Sequence, residues 1–328
     1  MESKTTLISV LLLVFVSVCL AKNPKDICPP SDLIQPCYCE KSCVNCHVSL
    51  KCDEVLNQDV LTDVVRKSND YQYGTFELKD SSVQYVPASL FSIQKIESLY
   101  IFTSSMVSWF DMAPQVDYDL DVLHLNGVRM TRKVQFDLFS GMKSLKRLSI
   151  MHTTVRRLDD NFINNIPKNL KQLVVYNCSL SRLNDNVLTL FTQLESVELD
   201  YGKIKEVKRS MFPARPSHLK LISFSRQKIE SLPGDLFSNM PALKELKLVG
   251  NLIGEMSKDT FASIVPRLTS FKIHGNPIKC GCSIHWITSI DRSKWRGPWF
   301  TGECKSPKEL ARKELKDLNN SHFQHCKE

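Results

Sequence analysis

The stretch Leu243-Lys-Glu-Leu246-Lys-Leu248-Val-Gly-Asn251-Leu-Ile253 sets apolar residues at positions 1, 4, 6 and 11 of a repeating unit. The same spacing returns in Leu145-Lys-Arg-Leu148-Ser-Ile150-Met-His-Thr153-Thr-Val155. Nine such units follow one another with a period of 23 to 25 residues, starting at Tyr73, Ile96, Leu120, Leu145, Leu170, Leu194, Leu219, Leu243 and Leu268. A further apolar residue recurs at position 14, as Val86, Trp109, Leu158, Leu183, Val207, Leu232 and Met256, and Phe91, Phe212, Phe237 and Phe261 fall near position 19. One unit cannot bury these side chains by itself. Stacked units bury them against one another, giving a continuous core without a single globular centre.

This pattern resembles the leucine-rich repeat, over most of the chain. The resemblance implies an α/β-type leucine-rich repeat solenoid, a curved horseshoe with a parallel sheet on its concave face, an irregular, short-helical convex side and disulfide-bonded caps. Nine strands at about 4.8 Å spacing make a sheet about 40 Å long. Position 9 is normally Asn in this family, its amide bonding the adjacent turn. Here the column reads Ser81, Ser104, Val128, Thr153, Cys178, Gly202, Gln227, Asn251 and Asn276. Only the last two units keep the family residue, which weakens the expectation of regular curvature in the N-terminal half.

An open solenoid exposes apolar core at each end, and terminal units must cover it. The cysteines lie at those ends. Asn276-Pro277-Ile-Lys-Cys280-Gly-Cys282-Ser-Ile-His-Trp286, followed by Cys304, Pro307, Leu310, Leu315, Leu318, Phe323 and Cys326, resembles the C-terminal flanking domain of extracellular leucine-rich repeat proteins. The resemblance implies Cys280 with Cys304 and Cys282 with Cys326, although four cysteines alone allow three connectivities. The N-terminal cluster of Cys28, Cys37, Cys39, Cys43, Cys46 and Cys52 is similar to the opposite cap, implying Cys28 with Cys39 and Cys37 with Cys52. Cys43 and Cys46 are extra, and are read as disulfide cysteines. Their spacing, Cys43-Val-Asn-Cys46, also suits zinc, the competing reading.

The run Cys28-Pro29-Pro30-Ser-Asp-Leu-Ile-Gln-Pro36-Cys37-Tyr-Cys39 also resembles a group of secreted arthropod repeat proteins similar to the non-catalytic subunit of shrimp (Oplophorus-type) luciferin 2-monooxygenase. That likeness implies an accessory role beside a partner, and the extra Cys43 and Cys46 depart from its four-cysteine cap.

Twelve cysteines among 328 residues fit an oxidising compartment better than the cytosol. The first residues agree: Lys4, an uncharged stretch from Leu7 to Leu20 and Ala21 read as a secretory signal peptide. No later stretch reaches the roughly 20 apolar residues of a membrane span. The expected layout is a signal peptide over 1–21, an N-terminal cap over 22–66, nine repeats over 67–278 and a C-terminal cap over 279–328, secreted and extracellular. With Cys19 lost in the signal peptide and ten cysteines in the caps, Cys178 is left as a free, buried thiol. A hydrophobic fraction of 42% and a mean hydropathy of −0.18 exclude wholesale disorder and a polytopic membrane protein.

The chain carries no GxSxG, GxxxxGK or HExxH motif. The sharpest catalytic idea is a Cys–His pair of Cys178 with His124 or His152, and a buried thiol in the position 9 column is the stronger account of Cys178. No enzyme activity, cofactor or resident metal is expected. What remains is surface. The outward strand positions 3, 5, 7 and 8 of repeats 2 to 5 carry Tyr100, Phe102, His124, Met151, His152, Val174 and Tyr176, a composition suited to a protein-binding hot spot.

Further along, the face turns charged with Glu198, Asp200, Arg226, Lys247 and Lys272. Basic residues at Lys203, Lys205, Lys208 and Arg209, and in the C-terminal cap at Arg292, Lys294, Arg296, Lys305, Lys308, Arg312, Lys313 and Lys316, contribute to the net charge of +8. For a secreted protein the matching acidic partner is a matrix polysaccharide or a cell surface, not nucleic acid. Asn177-Cys-Ser179 and Asn319-Asn-Ser321 fit the N-glycosylation pattern. The reading is a non-enzymatic extracellular protein binder, with an accessory enzyme subunit and a polysaccharide-binding matrix protein as alternatives.

Overall fold

The computed structural model describes residues 27–41, 48–94, 96–113, 119–291, 293, 295 and 297–326. The expected signal peptide, Cys43, Cys46, Arg292, Lys294 and Arg296 lie outside them.

One sheet runs the length of the molecule. Its strands are β1 (Tyr38–Lys41), β2 (Val48–Asp53), β3 (Thr75–Lys79), β4 (Ser98–Phe102), β5 (Val122–Asn126), β6 (Arg147–Met151), β7 (Gln172–Tyr176), β8 (Ser196–Asp200), β9 (Leu221–Ser223), β10 (Glu245–Lys247), β11 (Ser270–Lys272) and β12 (Phe300–Thr301), hydrogen-bonded in that order. The first pair is antiparallel and every later pair parallel. The sheet therefore has twelve strands where nine repeats were counted, and it is about 50 Å long at the usual strand spacing. The added strands come from the terminal segments, which continue the register instead of only covering it.

Alternation does the sorting. Position 4 of each repeat, from Phe76 and Leu99 through Leu148 and Leu173 to Leu246 and Phe271, is at most 2% exposed, as is the position 6 column of Leu78, Ile101, Leu125, Ile150, Val175, Leu199, Phe224, Leu248 and Ile273. The convex side is built from short helices such as Asp160–Asn165 and Lys258–Phe261 and single 3-10 turns such as Phe136–Phe139. Aromatic rings meet beneath them from repeat to repeat, edge to face in Phe91 with Phe110, Phe110 with Phe139 and Phe136 with Phe162 and tilted in Phe162 with Phe191, with centroids 5.2 to 6.2 Å apart.

The position 9 column explains how the N-terminal repeats stay in register without Asn. Asn251 and Asn276 accept from the amides of Ile229 and Ile253 and donate to backbone carbonyls at the strand ends, among them Leu248 and Ile273. Ser81, Ser104 and Thr153 do the same with a hydroxyl: each accepts from the amide of Val55, Ser81 or Val128 and donates to the carbonyl two residues back. Cys178 stands in the same column with a thiol, its Sγ lying 3.2 Å from the carbonyls of Ile150 and Tyr176.

At the N-terminal end the helix Gln58–Lys67, capped by Asn57, buries Leu61, Val64 and Val65, and disulfides join Cys28 to Cys39 and Cys37 to Cys52. At the other end Cys280 joins Cys304 and Cys282 joins Cys326, while Trp286 donates its indole N–H to the carbonyl of Met256 at 3.0 Å.

Candidate protein-binding face

The concave face presents the odd strand positions, because the even ones are spent on the core. The parallel register sets Tyr100 beside His124, His124 beside Ser149, Met151 beside Tyr176, and Val174 between Ser149 and Glu198. Side-chain contacts divide the expected residues into two groups. Tyr100, Phe102 and His124 form one, with centroids 5.5 to 6.2 Å apart. His152 and Tyr176 form the other at 5.4 Å, and Tyr176 continues at 4.8 Å to Tyr201, which lies outside the expected set. The Arg226 guanidinium lies over the Tyr201 ring, 5.9 Å from its centroid. Met151 and Val174, both half-buried, fill the strand positions between the two groups.

One margin of this face has an unusual backbone. Position 8 of all nine repeats is left-handed: Asp80, Thr103, Gly127, His152, Asn177, Tyr201, Arg226, Gly250 and Gly275 have φ between +43° and +71°. The chain turns there from the strand into the loop, and glycine meets that need at the lowest cost. Only three repeats use it. A left-handed conformation costs other residues roughly 1–2 kcal/mol each, so His152, Tyr201 and Arg226 display large side chains at positions where they strain the backbone.

A family model described as "Leucine rich repeat" matches residues 192–253 and 217–278. A chain of the solved octameric complex of Latrophilin 3 (Lec, Olf), Unc5D (Ig, Ig2, TSP1) and FLRT2 (LRR) superposes with a TM-score of 0.63, covering 86% of this chain and 97% of that one at 16% identity, a likeness of fold. The chain folds as a capped leucine-rich repeat solenoid. Among curated proteins it is similar to leucine-rich repeat and fibronectin type-III domain-containing protein 4 of Rattus norvegicus and of Mus musculus, 26% identical to each over 126 residues. The match takes in 36% of this chain and 19% of either relative.

Beyond Tyr176 the solenoid's face turns polar. Asp200 is held by Ser223 Oγ at 2.7 Å and by the amide of Ser225 at 2.7 Å, yet burial pushes its carboxyl above the ordinary carboxylate range. Glu198 pairs with Lys247 at 3.1 Å, and Lys272 lies over the exposed ring of Trp299. At the other aromatic group, burial lowers the pKa of His124. His124 is therefore neutral at physiological pH, and the Tyr100 group is an uncharged surface.

Cys178 is 2% exposed, and its hydrogen-bonding is to backbone carbonyls rather than to a histidine. Burial pushes its thiol up to about 11, the reverse of what a nucleophilic cysteine needs. Both sequon asparagines are exposed. Asn177 Nδ2 lies 3.1 Å from His152 Nδ1, on the left-handed margin, and Asn319 caps the 3-10 turn Asn320–Phe323 in the C-terminal cap.

Sequence reasoning missed Tyr201 and the partnership of Arg226 with it. Both stand in the position 8 column. The signal was available there, since Gly127, Asn177, Gly250 and Gly275 are residue types that tolerate φ above zero.

Proposed function

We propose that this solenoid is a secreted, non-enzymatic protein-binding protein that docks its partner on the concave face, through Tyr100, Phe102, His124, Met151, His152, Val174 and Tyr176, extended by Tyr201. The observation that carries the reading is the row of half-exposed rings laid across adjacent strands, because such side chains desolvate a large area at low conformational cost. The rigid parallel sheet holds them in place before the partner arrives, which reduces the ordering cost of binding. Support also comes from the fold neighbour, found in a complex with other proteins. The segments 1–21, 22–66, 67–278 and 279–328 serve as leader, cap, recognition unit and cap.

Site-specific photo-crosslinking tests this. A crosslinker at Val174 is expected to capture a protein from the native extracellular fluid, while one at the exposed convex Asn161 captures none. Replacing Tyr100, Phe102 and Tyr176 together by Ser, with the circular dichroism unchanged, is expected to abolish the capture. Equal capture from both faces, or capture that survives the triple change, overturns the reading.

Two other assignments compete. The exposed Lys305, Lys308 and Arg312 of the C-terminal cap favour a matrix protein that binds acidic polysaccharide; elution from a heparin column later than net charge predicts would support it. The Cys28 to Cys39 run supports an accessory subunit, and a stoichiometric co-purifying enzyme is the outcome that reading requires.

A further inference from the structure

Resting on the concave-face reading, we infer that Arg226 is a prearranged receptor for a carboxylate, and that the docked partner is a protein segment bearing an Asp or Glu side chain at that point. Three observations carry this. First, the side chain lies in a slot between repeats: Tyr201 lies beneath the guanidinium, and a Cβ added to Gly250 would sit 2.8 Å from Arg226 Cδ and 3.1 Å from its Nε. The neighbouring repeat has left the space in which this side chain lies. Second, the fork is unused. Among the described residues the Arg226 side chain makes no hydrogen bond and no ion pair, whereas Arg209 donates to the carbonyls of Ser238 and Ala214 and Arg147 pairs with Asp121. The nearby acids are taken, Asp200 by Ser223 and Ser225 and Glu198 by Lys247. Third, the position is strained for arginine, with φ +57°, where the next two repeats use glycine. A planar, exposed set of donors held against a ring matches the two oxygens of a carboxylate.

The charge pattern around it favours a protein over a polysaccharide. Asp200 immediately precedes Tyr201, and Glu198 on the same strand is neutralised by Lys247, so a uniformly anionic chain laid along this face would meet one carboxylate and a closed ion pair beside the Arg226 guanidinium. A protein segment can offer one acid to Arg226 and neutral or apolar groups to Tyr176 and Tyr201.

Selection of random linear peptides displayed on phage, against the intact protein, tests the assignment without knowledge of the natural partner. Peptides that compete with one another and lose binding to a Tyr176→Ser/Tyr201→Ser variant are expected to share an Asp or Glu at one fixed position. Their affinity should fall roughly 10- to 100-fold with Arg226→Gly or Arg226→Gln. It should fall nearly as far with Arg226→Lys, which keeps the charge and loses the fork. Arg226→Gly removes the backbone strain, so loss of folding does not confound it. Concave-face peptides without an acid, or acidic ones indifferent to Arg226→Gly, overturn the receptor assignment and leave concave docking standing. Peptides indifferent to the tyrosine changes overturn both. Binding of a heparin oligosaccharide that depends on Arg226, in place of acidic peptides, overturns the protein partner.

Discussion

Gln227 reaches its hydrogen-bond partners through space that Gly202, one repeat earlier, leaves open. Its Oε1 accepts from the amide of Ile204 at 2.9 Å and its Nε2 donates to the carbonyl of Leu199 at 2.8 Å, so the longer amide does in this repeat what Asn251 and Asn276 do in theirs. A Cβ on Gly202 would lie 2.6 Å from Gln227 Oε1 and 2.6 Å from the carbonyl oxygen of Leu180. Gly202→Ala is expected to cost about 1–3 kcal/mol in chemical denaturation. Adding Gln227→Asn should recover only part, because the Leu180 oxygen belongs to the backbone and cannot step aside. A Gly202→Ala protein as stable as the parent would show that the two position 9 residues are not coupled.

The solenoid was legible wherever burial alone chose the residue. Positions 1, 4, 6 and 11 face the core in every repeat, so apolar side chains return there whatever the loops do. The strand β2 escaped because Cys52 stands where the repeats have Leu, Ile, Val or Phe, although its burial alternates as theirs does. The candidate site was legible as a column of rings but not as two groups, since grouping depends on the path of each side chain across a strand spacing. Nothing in the spacing of Tyr201 and Arg226 signals that a guanidinium lies over a ring.

The left-handed margin gives a direct stability test. At positions 152, 201 and 226 the alanine and glycine variants both lose the side chain, but only glycine relaxes the backbone. Each glycine variant is expected to be more stable than its alanine counterpart by about 1 kcal/mol. At Tyr176, inside a strand, the order should reverse by roughly 0.5–1 kcal/mol. Matched denaturation curves for the four pairs decide it; alanine winning at the three margin sites would remove the strain argument.

Asp200 ties stability to pH. Its folded pKa is raised, first by burial, with Ser223 and Ser225 offsetting part of the shift and Glu198 adding to it. A raised folded pKa means that its contribution is fully present below the unfolded value, about pH 4, and is lost as pH rises through the folded pKa. Asp200→Asn keeps an oxygen for Ser223 and Ser225 and has no charge to bury. Relative to the parent it should gain stability as pH rises from about 4 towards neutrality, a trend that thermal melts across that range would show. A variant that loses stability over the same interval would mean that the hydrogen bonds outweigh burial.

Cys178 should be silent to a thiol reagent in the folded protein and react once the protein is unfolded, because the residue is 2% exposed and its thiol is protonated. Its raised pKa has the same sign of linkage as Asp200. Stability associated with the neutral thiol is lost from about pH 8.5, where the unfolded thiol ionises, and the loss is complete above the folded value of about 11. Cys178→Ser removes this alkaline loss while keeping a donor for the carbonyls of Ile150 and Tyr176. Rapid labelling of the native protein would contradict the buried assignment.

Asn177 puts a possible modification at the edge of the docking face. Its side chain is exposed beside His152, and Tyr176, the residue before it, connects His152 to Tyr201. A glycan on Nδ2 would rise from the left-handed turn next to these rings and leave the Tyr100, Phe102 and His124 group, two strands away at its nearest, uncovered. Intact mass of protein from a glycosylating host should therefore fall by one glycan in Asn177→Gln and by another in Asn319→Gln. Concave-face peptides that need Tyr201 should bind the Asn177→Gln protein more tightly than the glycosylated parent, while binding that depends only on Tyr100 and Phe102 stays unchanged. If both classes of peptide respond alike, the glycan does not divide the face, and the two ring groups act as one surface.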